Sequence, residues 1–172
     1  GYLASTMRDA GRTDKLGLGE VRRYDNDEHL AWARLDWAPE LSWLARAGVR
    51  LSYHRQDEGV LRHNCTRNAA GTVAERARCA AGDEGVIEKM RLNVDTVDAV
   101  GAEADAHLRL WEERIDLMTG IDLQHDTVES GREDAKASSG FVFEPKSRGN
   151  FSSGSTYLSL GAFLNASARL WT

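Results

Sequence analysis

The sequence predicts an all-β chain, an antiparallel up-and-down meander that is part of a transmembrane β-barrel with long exterior loops. Three observations predict it. Residues 100–110 alternate in chemistry: Val100, Ala102, Ala104, Ala106, Leu108 and Leu110 are apolar, while Gly101, Glu103, Asp105, His107 and Arg109 are small or charged. A strand sends successive side chains to opposite faces, and about 9–11 residues cross a bilayer. Further copies of this pattern follow along the chain, and none carries Asp, Glu, Lys or Arg on its apolar face. Short turns and long polar loops alternate between the copies, as in barrels that have one short-turned and one long-looped end.

Residues 1–20 are polar and glycine-rich and are expected to be loop. The first strand is expected over residues 27–38, with Ala31, Ala33, Leu35 and Trp37 on one face and Trp32, Arg34 and Asp36 on the other. Pro39-Glu40 ends it. The second strand places Ala45, Ala47, Val49, Leu51 and Tyr53 opposite Arg46, Gly48, Arg50, Ser52 and His54. Residues 56–85 are expected to form a long exterior loop. The third strand descends to Trp111, its more polar upper part (residues 87–98) projecting beyond the bilayer. After a turn at Glu112-Glu113-Arg114, the fourth strand sets Ile115, Leu117, Thr119, Ile121 and Leu123 against Asp116, Met118, Gly120, Asp122 and Gln124. A second long loop is expected over residues 129–154. The fifth strand carries Leu158, Leu160, Ala162, Leu164, Ala166, Ala168 and Leu170 on its apolar face. Two readings compete: a helix within residues 86–120, where Leu108, Trp111, Ile115 and Met118 make an i, i+3, i+7 stripe, and a soluble antiparallel sandwich.

Composition narrows the function classes. The chain has 172 residues, a formal charge of −5 and 41% hydrophobic residues. That mild acidity argues against nucleic acid as a partner. No apolar run reaches the ~18 residues of a membrane helix, which says nothing against strands. The chain begins Gly1-Tyr2-Leu3, with no initiator Met or signal-peptide pattern, and ends Leu170-Trp171-Thr172 within an apparent strand. The expectation is a single barrel segment, truncated at both ends. Loop asymmetry sets the direction of bacterial outer-membrane barrels, whose short turns are periplasmic. Trp37, Trp43, Trp111 and Trp171 then fall near the periplasmic end, where an aromatic girdle belongs; only Trp37 and Trp43 have lipid-facing parity.

Candidate sites are few. Cys65 and Cys79 share one exterior loop and are expected to form a disulfide in an oxidising compartment; unrelated free thiols are the alternative. Asp25, Asn26, Asp27 and Glu28 cluster oxygen ligands, but lack the glycine and distal Glu of a calcium loop, so a solvated strand mouth is expected. Glu103, Asp105 and His107 share a face, where lumen-lining ion pairs are favoured over a metal site. His54 and His125-Asp126 sit near the exterior mouth. There is no G-x-S-x-G or H-E-x-x-H motif, and Gly17-Leu18-Gly19 lacks a phosphate-loop continuation. No catalytic residue, cofactor or metal is expected, and the chain is not expected to be an enzyme. Asn64, Asn150 and Asn165 head glycosylation sequons that matter only in a eukaryotic secreted protein.

Several segments resemble one family. Arg12-Thr13-Asp14-Lys15 followed by Arg23-Tyr24-Asp25-Asn26-Asp27-Glu28-His29-Leu30-Ala31 resembles a loop-to-strand passage of TonB-dependent outer-membrane receptors. Val49-Arg50-Leu51-Ser52-Tyr53-His54-Arg55-Gln56-Asp57 is similar, as is the run from Arg148-Gly149-Asn150-Phe151 through Tyr157-Leu158-Ser159-Leu160-Gly161-Ala162-Phe163. The resemblance is one of texture over most of the chain. It implies a barrel of about 22 strands around a plug. It also implies energy-coupled uptake of a scarce small ligand such as a metal chelate, cobalamin or oligosaccharide. The partners it implies are outer-membrane lipid and, through a plug domain not present in these residues, the TonB complex. The sequence departs from a whole receptor in lacking a plug, a recognisable TonB-contact segment and enough strands to close.

Overall fold

The computed structural model describes residues 1–12, 19–66, 72–112 and 114–169. The segments Thr13-Asp14-Lys15 and Gly17-Leu18, Glu113, and Leu170-Trp171-Thr172, to which sequence expectations attach, lie outside the described residues. The fold is an antiparallel sheet of β1 (Tyr2–Arg12), β2 (Glu20–Trp37), β3 (Leu44–Cys65), β4 (Ile87–Leu110), β5 (Ile115–Lys136), β6 (Glu144–Pro145) and β7 (Ser155–Ala168), with one helix, α1 (Val73–Ala80). Each of the first five strands pairs with its sequence neighbour; β5 then pairs with β7 along its lower part and with β6 above it. Among the described residues β1 pairs only with β2 and β7 only with β5, so the sheet is open, as a partial barrel is.

The expected fold class is what the structure has, and the helical reading of residues 86–120 is excluded by β4. Four details differ. Residues 2–12 form a strand rather than loop. The first expected strand begins at Glu20, seven residues early. The expected loop over residues 56–85 is strand as far as Cys65, then α1 and a short 3-10 turn at Glu84–Val86. The expected loop over residues 129–154 is strand as far as Lys136. The cause is common to all four: in these segments both faces of the strand are polar, so polarity no longer alternates.

The three connections at one end (residues 13–19, 66–86 and 137–154) are long, and the two at the other (residues 38–43 and 111–114) are short. The tightest is the β4–β5 turn, where Trp111 and Glu112 take positive φ of 54° and 55° and Arg114 N–H donates to the Trp111 carbonyl at 3.1 Å. β4 has 24 residues. At about 3.3 Å each it reaches roughly 80 Å, more than twice a ~30 Å hydrocarbon core.

The buried apolar core is small and lies at the long-loop end. Val21, Cys79, Val86 and Ile87 form it, with Cys65, Met90 and Phe141 packed alongside. Thr72 caps α1: its Oγ accepts from Glu75 N–H at 3.2 Å and donates to the Glu75 carboxylate at 2.6 Å. This reciprocal pair starts the helix where no alternation would suggest one. A disulfide joins Cys65, the last residue of β3, to Cys79 of α1. It clamps the helix over the upper sheet, beside the buried His63, whose Nδ1 lies 3.4 Å from the Cys79 carbonyl. Burial holds that imidazole below its usual range.

Candidate functional site

The register aligns the strands into rows, and the rows divide the sheet into two faces. On one face, six successive rows near the short-turn end hold no Asp, Glu, Lys or Arg. The top row is Tyr2, Ala31, Tyr53, Val100, His125 and Leu158. Below it come Ala33-Leu51-Ala102-Leu123-Leu160, then Leu35-Val49-Ala104-Ile121-Ala162, then Trp37-Ala47-Ala106-Thr119-Leu164. Leu108, Leu117 and Ala166 and then Leu110, Ile115 and Ala168 complete the band. These side chains have no protein cover: Leu160 is 75% exposed, Leu35 72% and Leu164 71%. Uncovered apolar area this continuous calls for an apolar neighbour. The band ends abruptly above, where the next row on the same face is His29, Arg55, Asp98 and Thr127.

Three tryptophans mark the lower limit. Trp37 ends β2 on the apolar face, Trp43 precedes β3, and Trp111 lies in the β4–β5 turn. Trp43 offers its carbonyl to Arg109 N–H at 2.9 Å, so the two short turns are braced together. Trp32 lies on the opposite face, in a row with Ser52, Gly101 and Gln124.

That opposite face changes charge with height. Its lowest third is a balanced ladder. Arg50 reaches Glu103 at 3.0 Å, Arg34 reaches Asp36 at 2.9 Å, and Arg34 and Arg46 flank Asp105 at 3.5 and 3.3 Å. His107 lies 3.2 Å from Asp116. Glu103, Asp105 and His107 therefore do share a face, each engaged by a different partner. Gly48 leaves room for this ladder: a Cβ would meet Asp105 Oδ1 at 2.8 Å and oblige that carboxylate to shift.

The middle third is acidic, with Glu28, Glu58, Asp95 and Asp126. His54 lies 3.0 Å from Glu28, and the two border a pocket of about 220 Å³ with Ser52, Gly101 and Gln124. Ser130 and Asn150 both donate to the buried Asp95, Asn150 at 2.6 Å, and Phe151 N–H donates to Ser130 Oγ at 3.1 Å. The loop before β7 is thereby pinned onto this face.

The upper third is cationic. Among the described residues, Arg12, Arg22, Arg62, Lys89, Arg91, Arg132 and Lys136 share it with three carboxylates, Glu20, Asp134 and Glu144, the last paired with Lys146 at 3.1 Å. Asp134 is 5% exposed and takes Arg132 at 2.6 Å, Lys89 at 2.9 Å and Arg91 at 3.1 Å. The hydrogen bond from Arg132, working against burial and joined by those from Lys89 and Arg91, holds its carboxyl well below the usual range. Burial works in the same way against Tyr24, yet hydrogen bonds from Arg12 and Arg22 bring its phenol below its ordinary value.

The strand geometry separates residues that the sequence sets side by side. Asp25 and Asp27 lie on the apolar band's face, where Asp25 accepts from Asp9 N–H at 2.7 Å and Asp27 pairs with Arg8 at 2.5 Å. Asn26 and Glu28 lie on the other, bonded to Gln56 and His54. The four oxygen-bearing residues thus never converge, and among the described residues no group of three His, Cys, Asp or Glu side chains is arranged to hold a metal. His125 and Asp126 are parted likewise: His125 stands in the top row of the apolar band, and Asp126 faces the acidic third. His125 is thus not at the mouth. The cationic third escaped sequence reading because its residues are far apart in the chain and meet only through register.

No protein-family model matches the sequence, and no curated protein matches it. Among solved structures, the ferric yersiniabactin uptake receptor FyuA from Yersinia pestis is similar at a TM-score of 0.46 with 10% identity. The match covers 86% of this chain and 19% of that receptor's chain. The chain thus spans about a fifth of that receptor's length.

Proposed function

We propose that this chain is a stretch of barrel wall from an outer-membrane receptor of the TonB-dependent type, which takes up a scarce small ligand by energy-coupled transport. The observation that carries the reading is the uncharged six-row band, uncovered by protein and flanked by tryptophans at the short-turn end. Lipid is the neighbour that such a band needs, because an Arg or Lys at the bilayer midplane costs about 2–4 kcal/mol. The charged face then lines the lumen, and strands twice the bilayer's thickness carry that lumen far outside. Function is by binding and passage, with no catalytic step. The remaining wall, the plug and the TonB complex are partners on this reading, as is the surrounding lipid.

The experiment follows uptake by the full-length protein in cells with and without the inner-membrane energy partner. Loss of uptake without that partner supports the receptor. Unchanged uptake would make the protein a passive outer-membrane barrel.

A further inference from the structure

One row of the sheet breaks an elementary rule of strand pairing. Arg12 is opposite Arg22, Arg22 opposite Arg62, and Arg62 opposite Arg91, so four arginines stand side by side across four strands. Along the register the row reaches a carboxylate only at β5, Asp134, while Glu20 in the row above serves both Arg22 and Arg62. The row above repeats the fault in Lys89 opposite Lys136. Like charges directly opposite in a sheet destabilise it, and adjacent strands stand only about 4.8 Å apart. Glu20, Asp134 and Glu144, the last already paired with Lys146, do not offset seven cations. Arg62 is the clearest case. Its Nε is buried and makes no hydrogen bond, although Glu20 Oε1 lies 3.3 Å away. Burial, with the neighbouring Arg22 and Arg91, holds its pKa below the usual arginine value.

We propose that this arginine row is a binding site for a small polyanion, a molecule presenting several carboxylate or phosphate oxygens. The planar guanidinium fork matches such oxygens two at a time, and Arg is less strongly hydrated than Lys. An anion whose oxygens bridge neighbouring guanidiniums of the row offsets their mutual repulsion. The acidic third directly below repels the same anion, so the ligand is held at the rim and does not spread along the face. Pinning of the loop by Asn150 and Phe151 gives the rim a lower border. This deepens the receptor reading by naming the ligand's chemistry, and it rests on that face being the lumen.

The test uses the full-length protein, titrated calorimetrically with citrate and with pyrophosphate, and with maltotriose as a neutral control. Binding of either anion supports the proposal, and which one binds separates carboxylate from phosphate chemistry. Affinity is expected to fall steeply between about 50 and 500 mM salt. Arg62→Gln and Arg91→Gln are each expected to weaken binding at least about tenfold, while Arg50→Gln, low on the same face, leaves it unchanged. Arg62→Gln relieves like-charge repulsion without touching Asp134, so it is expected to keep or raise the unfolding temperature, whereas Arg91→Gln also loses a bond to Asp134 and is read by binding alone. An arginine with a purely structural role would lower it. No binding of either anion, or binding that Arg62→Gln leaves intact, overturns the proposal. Failure of the underlying receptor reading shows separately, as protein that stays monodisperse without detergent.

Discussion

The lower and upper halves of this sheet share strands, register and hydrogen bonding, yet they are built for different surroundings. In the lower half one face is apolar and uncovered while the other is a balanced charge ladder. In the upper half both faces are polar, and a small apolar cluster there packs with α1 and is sealed with a disulfide. The uncovered half calls for an apolar neighbour; the other half makes a small core of its own. The switch falls between Val100 and Asp98 in β4, a single step along one face.

The largest expected effect breaks the lower half alone. Ala104→Arg puts a charge in the middle of the band and is expected to cost about 2–4 kcal/mol. Val94→Arg, on the same face of the same strand but above the band, should cost almost nothing. Heat-modifiable gel mobility of the assembled barrel measures both, and Asp105→Asn, on the other face, should be mild. Equal losses from Ala104→Arg and Val94→Arg would erase the distinction between the halves.

The next effect belongs to the upper half. Cys65→Ser opens the loop closed by the disulfide, and a loop of this length is worth about 3 kcal/mol. Limited proteolysis should show cleavage around α1 with the membrane band still protected. Asp134 sharpens the same point through pH. Its carboxyl is depressed in the fold, so its contribution is complete above the unfolded value near 4 and is lost as pH falls below it. Asp134→Asn should remove about 1.5–3 kcal/mol at neutral pH, together with that acid dependence, in denaturant unfolding of the upper sheet. The smallest effect expected is from Gly149→Ala. A Cβ there would lie 2.9 Å from Gly131 N and closer still to Ser130 Oγ, so the pinned loop must lift. Protease nicking within residues 146–154 would report about 1–3 kcal/mol of local strain.

What the sequence discloses follows the same division. Below the switch, one face is apolar and the other charged, so the sequence must alternate, and faces, turns and strand order are legible from single residues such as Ala102 and Glu103. Above it that constraint disappears. Asp57-Glu58 and Glu133-Asp134 read as loop, although each pair sits in a regular ladder with a neighbouring strand. β1 is missed for the same reason, and because its bulge at Arg8-Asp9 interrupts the period. The capping pair Thr72 and Glu75 is a local signal for α1 that was there to be found. The arginine row has no local signal: Arg12, Arg22, Arg62 and Arg91 become neighbours only once the register of four strands is known.

The most direct test is a nitroxide scan along β4, residues 94–110, in the full-length protein reconstituted into liposomes. Oxygen and a polar nickel chelate report lipid and water access at each position. The account predicts that even positions from Val100 to Leu110 favour oxygen and odd positions favour the chelate, with both faces favouring the chelate from Asp98 upward. Chelate access at Ala102, Ala104 and Ala106 equal to that at Glu103 and Asp105 would contradict it.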